Sequence, residues 1–203
     1  MRASSTFRAA TAASRRIAPS RSRSTATTPA TAPQAAATGR LAVGSSATAV
    51  VNAGGLGRFS MVDFRKKMTG KQVSVSPTIS QYDEGLTGTS TKKDLETMFQ
   101  LIYLRFTQPR QDPTAFTTFQ GNMRSQLALQ RNNPGYLFAE ALNSALRNDH
   151  VRTRPLTVEM IDRLNLEKSM AFYKDRFADA SDFTFVFVGS IDVAAMKPVV
   201  ERY

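Results

Sequence analysis

The sequence predicts an α+β fold in which helices pack on one face of an antiparallel or mixed sheet. Three observations carry this. Two β-rich runs lie next to each other across a short polar turn, several segments repeat apolar residues at three- and four-residue steps, and Phe183 to Val188 forms a run without a charge. The order of hairpin, helices, buried strand and helix segregates the helices against a sheet instead of alternating them with strands. No internal repeat of about 20 to 50 residues is visible.

The elements follow in order. Ala47 to Ala53 reads as a short helix stopped by Gly54 and Gly55, which suit a left-handed C-cap. Ser60 and Asp63 make a capping-box-like start for a helix through about Met68, closed by Gly70. Val73 to Ile79 and Glu84 to Thr89 read as an antiparallel hairpin turning at Gln81 to Asp83. A helix from about Thr91 to Phe106 then places Leu95, Met98, Phe99, Ile102 and Phe106 on one face. Pro113 suits a first helical turn, and Phe116, Phe119, Met123 and Leu127 mark one face of a long helix ending near Asn132 and Asn133. From Pro134 to about Arg147 the apolar stripe is Leu137, Ala141, Leu142, Ala145 and Leu146. Thr157 caps a short helix, and Leu166 to Phe177 turns Met170, Tyr173 and Phe177 inward. Phe183 to Val188, apolar on both faces apart from Thr184, is expected in the middle of a covered sheet. Asp192 caps a last helix that runs into Tyr203, so the domain is expected to be truncated at its end.

Composition bounds the function. The chain has 203 residues with 41% hydrophobic, including 13 Phe, enough for one core. It has no Cys, which excludes disulfides, thiolate metal sites and a cysteine nucleophile, and one His, which excludes a two-imidazole zinc centre within the chain. The net charge is +11, of which residues 1–62, with eight Arg and no acid, supply +8. Residues 1–40, rich in Ala, Ser, Thr, Arg and Pro, read as a disordered basic head preceding a domain at 41–203. Three origins fit such a head: a mistranslated start, an organelle transit peptide, or a natural basic tail. No stretch of about 18 apolar residues occurs, so no membrane span is expected.

Val50-Val51-Asn52-Ala53-Gly54-Gly55-Leu56-Gly57-Arg58-Phe59-Ser60 and Lys93-Asp94-Leu95-Glu96-Thr97-Met98-Phe99-Gln100-Leu101-Ile102-Tyr103-Leu104, followed by Arg105-Phe106, resemble the insulinase/pitrilysin family of zinc metallopeptidases. So do Phe172-Tyr173-Lys174-Asp175-Arg176-Phe177 and Phe185-Val186-Phe187-Val188-Gly189, in the same order and spacing, over about residues 47 to 203. The resemblance implies tandem α+β domains in two halves around a chamber, with zinc bound by H-x-x-E-H and a downstream Glu in the first half only. This chain resembles the second, non-catalytic half. The position of the zinc helix, near Gly44 to Asn52, reads Gly-Ser-Ser-Ala-Thr-Ala-Val-Val-Asn, and the helix expected to carry the third ligand, about Phe116 to Gln130, contains no Asp or Glu. No catalytic, cofactor-binding or metal-ligating residue is therefore assigned, and zinc is expected in the catalytic half.

Other candidates have plainer explanations. His150 sits among Asp149, Arg152 and Arg154, where the guanidinium groups repel a cation, and reads as a surface-loop His. Asp83 and Glu84, beside Tyr82, invite an acid–base pair but read as a solvated turn. Gly54-Gly55-Leu56-Gly57-Arg58 could cradle an anion, yet lacks the P-loop Lys and a preceding strand, and reads as helix punctuation. Arg147, Arg152 and Arg154 read as a solvated basic face.

The expectation is a fragment that binds peptide and closes the chamber while a zinc-bearing half, in the same polypeptide or a partner chain, performs the cleavage. Alternatives are an inactive structural core subunit of a larger complex and a nucleic-acid binder driven by the Arg-rich head; the body carries no nucleic-acid motif, so no such partner is expected. The location follows from the source: cell envelope or periplasm if bacterial, mitochondrial if the head is a transit peptide.

Overall fold

The computed structural model describes residues 9–16, 46–80, 83–148 and 154–203. The elements are β1 (Ala9–Arg16), α1 (residues 46–54), α2 (Met61–Met68), β2 (Val73–Ile79), β3 (Asp83–Ser90), α3 (Leu95–Thr107), α4 (Pro113–Arg131), α5 (Pro134–Leu146), α6 (Val158–Asp162), α7 (Leu166–Arg176), β4 (Thr184–Val188) and α8 (Val193–Arg202). The strands form one antiparallel sheet in the order β2-β3-β1-β4.

Local chemistry sets the ends. Ser60 Oγ accepts from the Asp63 N–H and donates to the Asp63 carboxylate, starting α2. Asp112 and Asn133 cap α4 and α5, each followed by a proline that needs no intrahelical donor. Thr157, Asn165 and Asp192 cap α6, α7 and α8 in the same way. The β2–β3 hairpin pairs Val73 with Ser90 through Ile79 with Glu84, and its turn residues 81–82 lie outside the described residues. Pro77 is tolerated because β2 is an edge strand, whose outer side needs no ladder donor.

Period-2 alternation sends Val75 of β2 and Leu86 of β3 to one face of the sheet, where they meet Ala47 and Val51 of α1, Met98, Phe99 and Ile102 of α3, Met170 and Tyr173 of α7, and Phe177 at its C-cap. Phe183, just before β4, and Phe187 within it close this core: Phe106 lies 5.1 Å from Phe183 and 5.6 Å from Phe177, ring centre to ring centre, and Phe99 lies 5.3 Å from Phe187.

Three expectations change. Residues 9–16, read as part of a disordered head, form a strand: β1 sits between β3 and β4, running from Ala9 opposite Ser90 to Arg16 opposite Asp83, and from Ala10 opposite Val188 to Ser14 opposite Thr184. A segment bonded on both sides gains its order from ladder hydrogen bonds, a contribution its own low hydrophobicity does not announce. Then β4 is an edge strand and not a central one. Its inner face meets the aromatic core, whereas Val186 and Val188 are exposed on the other face. Finally, the apolar stripe of α5 is not core: Leu137, Leu142 and Leu146 are exposed, because among the described residues no element lies over it.

Asp94 ties the hairpin to α3. Its carboxylate accepts from the Gln72 N–H at 2.9 Å and from Thr91 Oγ1 at 2.9 Å. The Gln72 backbone bond, helped by Thr91 and the nearby lysines, holds its carboxyl below the usual carboxylate range. A depressed native pKa gives stability that is present above the unfolded value of about 4 and lost as pH falls through the native one. The urea midpoint is therefore expected to decline below about pH 4, and D94N to be less stable at neutral pH with a flatter decline in acid, both read from denaturation curves across pH. Deleting residues 1–20 unpairs the inner edges of β3 and β4, so the shortened chain is expected to lose its cooperative melt and aggregate, as circular dichroism and light scattering would report.

Candidate functional site

At the position where the resemblance calls for zinc ligands, α1 presents Ala47, Val50 and Val51, all within 2% of full burial. These three side chains are packed into the core and offer no donor atom to an ion. Neither does α4 supply a carboxylate: it contains no Asp or Glu, and its polar groups are used structurally, Gln120 donating to the Ile161 carbonyl at 3.0 Å and Arg124 Nε to Asp162 at 2.8 Å. Among the described residues no three of His, Cys, Asp and Glu gather where they could hold a metal. The described residues at these two positions do not fit a zinc ion. His150 and Arg152 lie outside the described residues, while Arg147 and Arg154 are exposed.

Strand alternation separates the two acids of the hairpin. Asp83 is exposed and closes the turn with Ser80, whose N–H donates to the Asp83 carbonyl at 2.8 Å. Glu84, expected to be solvated, points the other way and is 1% exposed, with Arg176 Nε 3.8 Å from its carboxylate. Neighbours on opposite faces of a strand cannot share a proton across one substrate atom.

The glycine segment is punctuation built by close packing. Leu56 and Phe59 exchange backbone hydrogen bonds at 3.0 Å, and the Gly57 N–H donates to the Gln108 carbonyl at 2.9 Å. Those donors are consumed by carbonyls and cannot also cradle an anion. Gly55 has φ +94°, and a Cβ there would stand 2.3 Å from the Phe59 oxygen; at Gly54 it would stand 2.5 Å from the Arg110 oxygen.

What the sequence reading missed lies between α2 and β2. A groove of about 470 Å³ runs there, with Met61, Phe64 and Met68 of α2 on one side and Val73 to Ser76 of β2 on the other. Asn52, Leu101 and Arg105 line it from inside. Arg105 is 4% exposed. Its Nη2 donates to the Val75 carbonyl at a long 3.4 Å, and its own carbonyl accepts from the Tyr173 hydroxyl at 3.1 Å. Nε and Nη1 of Arg105, and Oδ1 of Asn52, are buried without a hydrogen-bond partner among the described residues. Burial pulls the Arg105 pKa down, with Tyr173 opposing, and pushes the Tyr173 phenol up. The signal was present in the sequence: Arg105 lies four residues after Leu101 and three after Ile102, on the apolar face of α3, where a charge is out of pattern.

No family model matches the sequence. The chain is 25% identical over 163 residues to a probable zinc protease PqqL of Haemophilus influenzae, covering 78% of this chain and 17% of that protein. It is 27% identical over 113 residues to a zinc protease PQQL-like of Arabidopsis thaliana, covering 54% of this chain and 12% of the other. The chain thus spans less than a fifth of the curated relatives it matches. Among solved structures, the periplasmic protease PqqL from Escherichia coli superimposes with a TM-score of 0.70 at 19% identity, over 97% of this chain and 20% of that one. An inactive M16 peptidase domain from Pseudomonas fluorescens superimposes with a TM-score of 0.67 at 13% identity, over 96% of this chain and 44% of that one.

The Gly55 geometry gives a test of this region. G55A is expected to destabilise the chain by about 1–3 kcal/mol through the left-handed φ and the clash with Phe59, measured by urea denaturation against wild type.

Proposed function

We propose that the chain belongs with the M16 zinc proteases of the insulinase and pitrilysin kind, as a piece of the half that binds peptide and closes the chamber without cutting. One observation carries the reading: the helix at the zinc-motif position turns Ala47, Val50 and Val51 into the core, where a catalytic domain needs imidazoles and a carboxylate. The acid-free α4 supports it independently. Hydrolysis in the assembled enzyme then belongs to a zinc-bearing half supplied by the rest of the polypeptide or by a partner chain. The small share of each relative that this chain covers, and the inactive M16 domain among its structural neighbours, favour that division.

This half contributes binding surface. A peptide can extend the sheet as an added strand, using main-chain hydrogen bonds that are indifferent to sequence, and β2 offers an open edge beside an apolar groove. No helix among the described residues is long and apolar enough to cross a membrane, and the E. coli neighbour is periplasmic, which supports an envelope location if the source is bacterial.

The test is peptidase activity and metal content of the purified chain. Zinc is expected to be substoichiometric after dialysis, with no metal-dependent cleavage of an unfolded protein substrate. Zinc-dependent turnover by this chain alone would overturn the proposal. Adding the zinc-bearing half is expected to restore cleavage.

A further inference from the structure

The groove between α2 and β2 holds a contradiction that a ligand would resolve. A guanidinium is a permanent cation with five donors, and taking it out of water costs several kcal/mol unless an acceptor replaces the solvent. Arg105 is 4% exposed, yet only Nη2 has a partner, a neutral carbonyl at 3.4 Å. Nε and Nη1 have none among the described residues, and no carboxylate among those residues is hydrogen-bonded to it. The groove above takes apolar side chains from Met61, Phe64, Met68 and Leu101, and besides Arg105 its polar residues are Asn52, Arg65, Thr69, Ser74 and Ser76.

We propose that this groove is a carboxylate-binding site, in which Arg105 receives the carboxylate of a peptide and the apolar lining takes the neighbouring side chain. A planar carboxylate matches two N–H groups of a guanidinium in parallel, and such charge-assisted bonds are the strong ones. Burial lowers the Arg105 pKa, and an incoming anion would oppose that effect. Nε and Nη1 lie under the surface, so entry requires the lining to part. Met61 and Met68, unbranched and half-buried, are suited to that movement. The carboxylate can come from a chain terminus or from an acidic side chain. The inference deepens the peptide-binding reading above and rests on it only for the peptide nature of the ligand.

The experiment is calorimetric titration of the full chain with three N-acetylated peptides: Ala-Ala-Phe with a free C-terminal acid, the same peptide as its amide, and Ala-Glu-Phe as its amide. 3-Phenylpropanoate serves as a small carboxylate control. The free acid, the Glu peptide or both are expected to bind at least about tenfold more tightly than the neutral amide, and whichever does so names the source. R105M is expected to abolish the difference while remaining folded, since it replaces a poorly paired buried charge with an apolar side chain of similar length. N52D, which adds a competing carboxylate to the groove, is expected to weaken carboxylate binding as a second, independent variant. Equal affinity for the acids and the neutral amide, or an acid preference surviving in R105M, would overturn the site. If all three peptides bind equally, the peptide-binding function stands without the carboxylate site. If no peptide binds while phenylpropanoate does so through Arg105, the site stands and the peptide-binding function falls.

Discussion

The structure depends on an aromatic seam between α3, α7 and the last strand. Tyr173 and Phe177 stack at 4.5 Å, Phe177 stacks on Phe183 at 5.5 Å, and Phe106 meets both phenylalanines edge-on. Aromatic pairs at these separations add about 0.5–1.5 kcal/mol each to the burial of their area. More important is what they join. Residues from the middle of the chain and from its end are held in one contiguous core, which fixes the sheet against the helices and keeps Tyr173 fully buried with its hydroxyl on the Arg105 carbonyl. The same packing that secures the fold thereby sets where the α3 guanidinium sits.

That core also explains why Ala47 and Val51 of α1 face inward. In α1, burial of Ala47 and Val51 beside Leu56 makes the helix a packing element, and its C-terminal end is locked by glycines whose neighbours leave no room for a Cβ. Substituting ligands into this helix would place polar groups in a dry interior without acceptors. Structural service and metal binding are competing uses of one helical face, and here the former has the residues.

Most of the fold was legible in the sequence because its signals are local. Ser60, Thr157 and Asp192 act at helix starts through bonds within three residues, Pro113 opens α4 where no intrahelical donor is needed, and the hairpin shows as period-2 alternation within Val73–Ser90. What failed was non-local. Nothing in Ala9–Arg16 indicates that two distant strands will hydrogen-bond to it, and nothing in Thr184–Val188 says that its second face stays uncovered. Leu137 and Leu142 of α5 have the spacing of a buried stripe, but spacing reports a face and not what covers it. The groove was half legible: Arg105 breaks the apolar pattern of α3, yet only the three-dimensional arrangement shows how few of its donors are used.

The strand order has a temporal side. β1 begins at Ala9 and pairs with β4, which begins at Thr184, so the ladder at one side of the sheet joins segments far apart in the sequence. Loop closure over such a span is entropically slow compared with forming a hairpin or a helix pair. During synthesis the β2–β3 hairpin and its helices can assemble while β1 waits with one side bare, and the sheet is completed only once Thr184–Val188 has left the ribosome. A chaperone that shields that lone edge would act on the longest-lived unfinished species.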